Sequence, residues 1–401
     1  MRGSFRAMLA LALCWGLVCT AHAQKIYGPG VTDTTIKIGQ TMPYSGPAAS
    51  YSVLGRVEVA LFEAINEQGG INGRKVTLLS FDDAYSPPKT SEQTRKLVEQ
   101  EGVLGIFGTQ GTPTAAAIQK YLAAKKMVFL SPSGASRLND PTHDPYMLPI
   151  YTSYRTEAVV YGRYIAQTKP DAKVAVLYQN DDFGKDYLGG LKEGLGPKGD
   201  TMIVKTASYE VTDPTIDSQL VSLKESGANV FVDIATPRAG IQAIRRTHEM
   251  GWRPLHIIPY TIASISDVLK PAGLGAATGL ISAAVQRDPN DPAWANDPQV
   301  LAYRAFMAKR LPGVDPTNLI AILGYIEGNI MAQILRQCGD EITSENIIRQ
   351  ATKLQNYDVP MLLPGVHLDI RPNDYAGIRT MRLQRFDGTR WVGFGDLIGE
   401  K

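Results

Sequence analysis

Two hydroxyl-rich turns, each directly after a short apolar run, are the parts of this sequence best suited to chemistry. Residues 108–113 read G-T-Q-G-T-P, and residues 131–136 read S-P-S-G-A-S. In the first turn, Thr112 can cap a helix, and Pro113 fits the first helical turn, where no backbone N–H is needed. Free N–H groups at a helix start, beside several hydroxyls, favour an anion or a polar ligand. No residue in either turn is a candidate catalyst, so the pattern favours binding over turnover.

The sequence lacks the common motifs of catalysis and cofactor binding. It contains no G-x-S-x-G, H-E-x-x-H, C-x-x-C or G-x-x-x-x-G-K-[ST] pattern. The histidines that follow the first 23 residues, at positions 143, 248, 256 and 367, are scattered. Isolated surface or core histidines are therefore a better interpretation than a zinc site. We expect no catalytic residue, no metal and no cofactor.

Two carboxylate pairs are the remaining candidates for acid–base chemistry. Asp82 and Asp83 follow an apolar run and precede two prolines, while Asp181 and Asp182 precede a predicted helix whose positive end favours them. Turn formation and helix capping are the preferred interpretation of both pairs. A secreted hydrolase that uses Asp82 or Asp83 with a histidine stays open as an alternative.

The elements that must position the two turns alternate regularly between strand and helix. Hydrophobic periodicity predicts strands at residues 35–39, 76–81, 103–107 and 127–130, separated by helices that begin near residue 52 and at 88–101 and 112–124. The alternation restarts with helices at 156–167, 183–194, 214–226 and 237–250, and strands at 174–178, 201–209, 230–234 and 255–259. This order predicts an α/β protein with parallel sheets covered by helices on both faces.

The last part of the chain breaks this alternation. Periodicity predicts helices at 299–310, 318–338 and 344–354, the last of them capped by Ser344. The helix at 318–338 is apolar on nearly all sides, so we expect it to be deeply packed. Residues 379–397 predict a β-hairpin around Asp387-Gly388. A chain of 401 residues is too long for one compact core and suits two domains.

Aromatic side chains gather in or beside the loops that follow the predicted strands. They are Tyr44, Tyr51, Tyr85, Tyr151, Tyr154, Phe183 and Tyr260. Open α/β sheets bind their ligands at this edge. Several aromatic rings in one crevice would form an apolar box with hydroxyl tips.

The first residues have the features of an export signal. Arg2 and Arg6 precede an apolar run at 7–19, and residues 21–23 read A-H-A, a small-x-small cleavage signal. We expect cleavage after Ala23 and a mature chain in the periplasm. Lipidation is less favoured, because no small residue directly precedes either cysteine of the run.

Cleavage at this point changes the charge and the cysteine content. The signal contains two of the 41 basic residues and none of the 39 acidic ones, so the mature chain is formally neutral. A neutral chain gives no reason to expect nucleic acid as a partner or direct membrane insertion. Cys338 is the one cysteine that remains, and a buried structural thiol is its preferred interpretation.

Several segments, taken in order, resemble the leucine/isoleucine/valine-binding protein family. They read I-K-I-G-Q-T-M-P-Y-S-G-P, E-A-I-N-E-Q-G-G-I-N-G-R-K-V, D-D-A-Y-S-P, G-I-F-G-T-Q-G-T-P, F-L-S-P-S-G-A-S, N-D-D-F-G-K-D and R-F-D-G-T-R-W-V-G-F-G-D-L. No single segment is decisive, but their order and spacing are specific, and they extend over essentially the whole mature chain. The family consists of periplasmic receptors of branched-chain amino acid ABC importers.

The resemblance implies a type I periplasmic-binding fold, with two Rossmann-like α/β lobes that close like a hinge. Its three crossovers would fall near residues 151–154, 282–288 and 364–366. Lobe 1 would then comprise residues 33–152 plus 285–364, and lobe 2 residues 153–284 plus 365–401. A small-molecule solute and a membrane permease are the partners that the family implies.

The family also implies ligand-binding positions. The hydroxyl that holds the ligand carboxylate falls on Thr109, with backbone groups of Gln110 and Gly111 beside it. The loop after the fourth strand contributes Ser133, Gly134, Ala135 and Ser136. Tyr51 and Phe183 occupy the aromatic positions, and Tyr260 would help them to enclose the body of the ligand.

One departure from the family bears on the ligand. Amino-acid binders carry an acidic residue in the loop after the strand at 255–259, but residues 260–264 read Y-T-I-A-S here. An ammonium group buried without a counter-charge costs several kcal/mol. We therefore expect a small carboxylate with an aromatic or aliphatic body. Asp233 is a candidate substitute acid, which keeps amino acids, including the branched-chain ones, as an alternative; a sensory ligand-binding module is another.

Overall fold

The computed structural model of the protein describes residues 25–131, 134–138 and 140–399. The predicted signal at residues 1–23 and the candidate ligand residue Ser133 lie outside the described residues. The structure contains two main parallel sheets with helices on both faces, which confirms the predicted α/β class with two parallel-sheet lobes.

The first sheet has the order β3-β2-β4-β5-β6, and all of its strand pairs are parallel. The elements of this part are β1 (Ile26–Tyr27), β2 (Thr35–Met42), α1 (Ser52–Glu67), β3 (Lys75–Asp82), α2 (Pro87–Arg95), β4 (Ile106–Phe107), α3 (Thr112–Ala124), β5 (Phe129–Ser131) and β6 (Met147–Pro149). Ile36 and Ile38 of β2 point to one face and are fully buried, as the two-residue period of a strand requires.

The second sheet has the order β14-β13-β11-β10-β9-β7-β8. Its elements up to residue 284 are α4 (Tyr154–Thr168), β7 (Val174–Gln179), α5 (Asp182–Leu195), α6 (Gly199–Met202), β8 (Ile203–Tyr209), α7 (Asp217–Glu225), β9 (Val230–Ile234), α8 (Pro237–Glu249), β10 (Leu255–Ile257), α9 (Lys270–Ala272), α10 (Leu274–Ala277) and β11 (Ile281–Ala284). The five strands β7–β11 pair in parallel.

The remaining elements return to the first sheet and then to the second. They are α11 (Pro298–Arg310), α12 (Leu319–Cys338), β12 (Glu341–Ile342), α13 (Ser344–Ala351), β13 (Thr380–Phe386) and β14 (Trp391–Gly399). Arg310 of α11 binds Glu67 of α1, and β12 pairs with β1. The predicted hairpin is confirmed, since β13 and β14 are antiparallel and β13 pairs with β11.

The helix α12 packs against α1 at very short range. A Cβ atom on Gly324 would lie 2.7 Å from the main-chain carbonyl oxygen of Leu54, so only glycine permits this approach. Among the described residues, α12 is the one helix with the length and composition of a membrane span, and 78% of its most apolar window is buried inside the protein. This burial agrees with the predicted deep packing of α12.

Several predicted boundaries differ from the structure. Thr112 is the first residue of α3 and not its cap; Gly111 precedes the helix with a φ of +101°, which glycine adopts without strain. Thr343, not Ser344, caps α13. The helix predicted at 214–226 begins at Asp217. The short strands β6 and β11 were not predicted, since three or four apolar residues give no clear period.

Candidate functional site

The turn between β4 and α3 places several polar groups together without exposing them. Thr109 is fully buried, and its hydroxyl oxygen accepts a hydrogen bond from the Thr41 hydroxyl at 3.2 Å. The hydroxyl of Thr114 donates to the main-chain oxygen of Gln110. Side chains larger than hydrogen do not fit at Gly111, because a Cβ there would lie 2.4 Å from the Tyr85 ring.

Thr112 is the member of this turn with unused hydrogen-bonding capacity. Its side-chain oxygen is buried and has no hydrogen-bond partner in the described part of the chain. The amides of the first turn of a helix lack intrahelical acceptors. The start of α3 can therefore donate to a ligand from both a hydroxyl and the main chain.

Two tyrosines from loops of the first sheet reach residues of the second sheet. Burial raises the pKa of Tyr51 well above its usual value, while the nearby Thr261 hydroxyl opposes the shift. Burial also raises the pKa of Tyr85, and the amide of Gln179 opposes it. Each of the two tyrosines therefore lies near a residue of the second sheet, across the crevice between the sheets.

On the opposite side of the crevice, three rings at the start of α4 and α5 form a cluster. The Tyr154 ring lies 4.9 Å from that of Phe183 at an interplanar angle of 87°, and 5.1 Å from that of Tyr187 in a stacked arrangement. Tyr154 also lies close enough to Tyr51 to contribute to the raised pKa of Tyr51. The structure therefore brings the predicted residues Tyr51 and Phe183 to the two sides of one aromatic cluster.

The loop with Tyr260 is held by a carboxylate that the sequence analysis missed. Glu157 of α4 is fully buried and accepts a hydrogen bond from the main-chain N–H of Tyr260 at 2.8 Å. The hydroxyls of Tyr161 and Tyr187 donate to the same carboxylate. Burial raises the pKa of Glu157 to about 7, against the effect of these three donors.

Glu157 also borders a small cavity. Its volume is about 10 Å³, and Tyr151, Thr152 and Tyr260 line it together with Glu157. The Tyr151 and Tyr260 rings are 5.3 Å apart. In the sequence, Glu157 lies four residues before Tyr161, within an apolar face of the predicted helix. A charged residue on an apolar face is rare, and this was the signal that could have identified Glu157 as a buried acid.

The loop after β5 contacts the second sheet's helices through Ser136. The main-chain N–H of Ser136 donates to the Asp186 carboxylate at 2.9 Å, and its hydroxyl donates at 2.5 Å. Gly134 and Ala135 are buried beside it. Burial raises the pKa of Asp186, although Ser136 and the main-chain amide of Arg155 favour its charged form. No sequence pattern indicated this pairing.

The structure places Asp233 in β9, inside the second sheet. Its carboxylate is fully buried and lies 3.7 Å from Nε2 of His256 on the neighbouring strand. Burial raises the pKa of Asp233, and His256 opposes the shift.

The carboxylates of Asp82 and Asp83 are engaged in local structure. Asp82 binds Nζ of Lys89 at 2.8 Å and the main chain and side chain of Ser45. Despite the opposing effect of partial burial, these donors lower the pKa of Asp82 to about 2. Asp83 accepts from the Tyr85 N–H and the Thr90 hydroxyl. In the described ranges, no group of three or more histidine, cysteine or acidic residues could hold a metal ion.

A family model described as periplasmic binding protein matches residues 35–390. The Leu/Ile/Val-binding protein homolog 7 of Brucella suis biovar 1 (strain 1330) is 25% identical over 253 residues, which cover 60% of this chain and 62% of that protein. The chain therefore spans less than two thirds of the length of that relative.

Two solved structures are similar to this fold. The branched-chain amino acid ABC transporter protein from Thermus thermophilus with bound valine superposes with a TM-score of 0.81, at 16% identity, over 92% of this chain and 98% of that one. The ABC transporter solute-binding protein from R. palustris in complex with benzoate gives a TM-score of 0.77 at 17% identity, with the same coverage of both chains. At these identities the likeness shows a shared fold.

Proposed function

The chain belongs to the periplasmic binding protein family, and on that premise we propose that it is the solute receptor of an ABC importer, with a small carboxylate as its ligand. The ligand would lie in the crevice between two lobes, and the closed receptor would deliver it to a membrane permease. The lobes would comprise residues 33–152 plus 285–364 and residues 153–284 plus 365–401. The place of action would be the periplasm, after cleavage of the signal at Ala23.

The observation that carries the proposal is the set of unused donors at the start of α3. The Thr112 hydroxyl is buried without a described partner, and amides in the first turn of a helix lack intrahelical acceptors. Donors without a nearby base or nucleophile suit a carboxylate that is bound and released. Thr109, Gln110 and Gly111 would complete this part of the site.

The other end of the crevice supports a ligand without an ammonium group. The loop at residues 260–264 has no acidic side chain. The Glu157 carboxylate, which holds this loop through the Tyr260 N–H, already accepts from two hydroxyls and one amide. An ammonium group would have to displace these donors, whereas a neutral aromatic or aliphatic body would pack against Tyr51, Phe183 and Tyr260.

The ligand class can be tested by thermal shift and calorimetry with the mature protein. We expect benzoate, or an aliphatic carboxylate of similar size, to raise the melting temperature more than leucine or valine does. Loss of stabilisation for every acid and amino acid, in a protein that is folded by circular dichroism, would refute the receptor proposal. Tight binding of leucine would instead refute our interpretation of the loop at 260–264.

Two variants locate the site. Replacement Thr112→Val removes one hydroxyl donor to a charged group, which is worth about 1.5–3 kcal/mol, so affinity should fall by roughly tenfold or more. Ser218→Ala, in an exposed turn of α7, is the matched control. Asp83→Asn should leave ligand affinity unchanged; an activity on esters or amides that disappears in this variant would support the hydrolase alternative.

A further inference from the structure

The contact between Ser136 and Asp186 joins the loop after β5 to α5 on the opposite side of the crevice. Both donors of Ser136, the main-chain N–H at 2.9 Å and the hydroxyl at 2.5 Å, are directed at the two oxygens of one carboxylate. The main-chain amide of Arg155, in the first turn of α4, contributes to the same carboxylate. Asp186 is therefore held by three donors from two different elements.

These donors form an anion site in their own right. A helix N-terminus with a hydroxyl beside it is a common place for a bound carboxylate or phosphate. Here α4 has 15 residues and begins at Tyr154, beside the aromatic cluster that faces the crevice. The carboxylate that fills this site belongs to the protein itself.

We propose that Asp186 is a resident carboxylate that occupies the second anion site of the crevice and links the two lobes when they close. The inference rests on the proposed function, because it requires two lobes that close on a solute. It adds a specificity rule: the crevice offers donors to one external carboxylate, at the start of α3, and excludes a second one. Asp186 is a positioning residue for closure and a specificity residue against dianions.

Charge strengthens this exclusion. Asp181 caps the same helix, α5, through the Gly184 amide and accepts from the side chain of Gln179, so the crevice side of α5 begins with another carboxylate that is already bound. The second carboxylate of an external dicarboxylate would meet the negative charge of Asp186, and no donor of Ser136 would remain for it. Like charges at short range in a partly desolvated site disfavour binding strongly.

Closure is the first measurement, and it needs no ligand. Spin labels at Lys120→Cys in α3 and Ser218→Cys in α7 report the distance between the lobes by double electron–electron resonance; Cys338 is buried. Asp186→Asn and Ser136→Ala should each move the closed-to-open ratio toward open by about tenfold, because each weakens a charge-assisted hydrogen bond. The double variant should change the ratio no further than Asp186→Asn alone.

The matched control is Asp200→Asn, which removes an exposed carboxylate that pairs with Lys192 at 2.9 Å. It should leave the distance distribution unchanged. An unchanged distribution in both Asp186→Asn and Asp186→Ala, with normal melting temperatures, would overturn the link. Since this measurement uses the ligand-free protein, it is independent of whether the external ligand is a carboxylate.

Specificity is the second measurement, with benzoate and phthalate as probes. In the parent protein, benzoate should bind and phthalate should not. Asp186→Ala should raise the affinity for phthalate relative to benzoate by about tenfold, because the Ser136 and Arg155 donors become available to the second carboxylate. A ratio of affinities that does not change in this variant would refute the resident-carboxylate role.

Discussion

Stability should decrease from acidic to neutral pH, and Glu157 should account for much of the decrease. Burial in α4 raises the pKa of this residue from 4.5 to about 7. The folded protein therefore binds a proton that the unfolded chain releases between these two pH values. The free energy of unfolding is highest below about pH 4.5, falls as pH rises through the window and becomes constant above about pH 7.

The magnitude follows from the size of the shift. Each pKa unit corresponds to about 1.4 kcal/mol, so a shift of this size predicts a loss of about 3 kcal/mol in the free energy of unfolding across the window. Other buried acids act in the same direction; burial raises the pKa of Asp288 to about 6, for example. The contribution of Glu157 is therefore the difference between the parent protein and a variant without this carboxyl.

Glu157→Gln is the appropriate variant, because an amide has the same shape and does not titrate. The Gln oxygen can still accept from the Tyr260 N–H and the Tyr161 hydroxyl, which share one oxygen of Glu157, and the Tyr187 hydroxyl can rotate to accept from the new NH₂ group. Urea unfolding followed by tryptophan fluorescence, at half-unit steps from pH 4.5 to 8, gives the two pH profiles. The parent protein should lose about 3 kcal/mol more than Glu157→Gln over this range.

The control is Glu63→Gln, which replaces an exposed carboxylate on α1. Its pH profile should run parallel to that of the parent protein. If the profile of Glu157→Gln also runs parallel to the parent profile, the carboxyl titrates with an ordinary pKa. The description of Glu157 as a desolvated acid that holds the Tyr260 loop would then be wrong.

Three further predictions concern other parts of the molecule. Burial raises the pKa values of Glu58 and Glu327, which face each other between α1 and α12. The variant Glu327→Gln should therefore raise the melting temperature, relative to the parent protein, more at pH 8 than at pH 5. An equal change at the two pH values would contradict this prediction. Gly111→Ala should weaken carboxylate binding at least tenfold in calorimetry, because its Cβ would meet the Tyr85 ring and its φ of +101° is costly for alanine by about 1–3 kcal/mol. Gly324→Ala should lower the free energy of unfolding by about 1–3 kcal/mol in urea titrations, since the added Cβ overlaps a main-chain carbonyl of α1, and unchanged stability would refute the close packing of α12.

The sequence predicted the fold well because its signals are local and repeated. Most strands and helices of the two sheets have their own periodicity, and glycine or proline marks most of the turns. The failures occur where the signal is short. Three residues of β6 and four of β11 are too few to show a period. The bounds of α3 were predicted as observed, but its capping residue is Gly111, with a positive φ, and not Thr112.

The candidate site was less predictable, because its key contacts join residues far apart in the chain. Glu157 and Tyr260 are 103 residues apart, and Ser136 and Asp186 are 50 apart. Such pairs depend on how the two sheets face each other, which periodicity does not encode. The turn at Thr109 was easier to recognise, because the end of a strand and the start of a helix are adjacent in sequence there.

The distribution of carboxylates around the crevice is the basis of our proposal for the ligand class. Asp181, Asp186 and Glu157 all lie at its second-sheet side, and each already accepts hydrogen bonds from the protein. A ligand cation would have to compete with those donors, at the cost of leaving buried N–H or O–H groups unsatisfied. On the opposite side, the Thr112 hydroxyl at the start of α3 has no described partner, and the turn at residues 108–113 contains no carboxylate. This asymmetry is why we propose a ligand that brings one negative charge to α3 and an uncharged body to the aromatic rings.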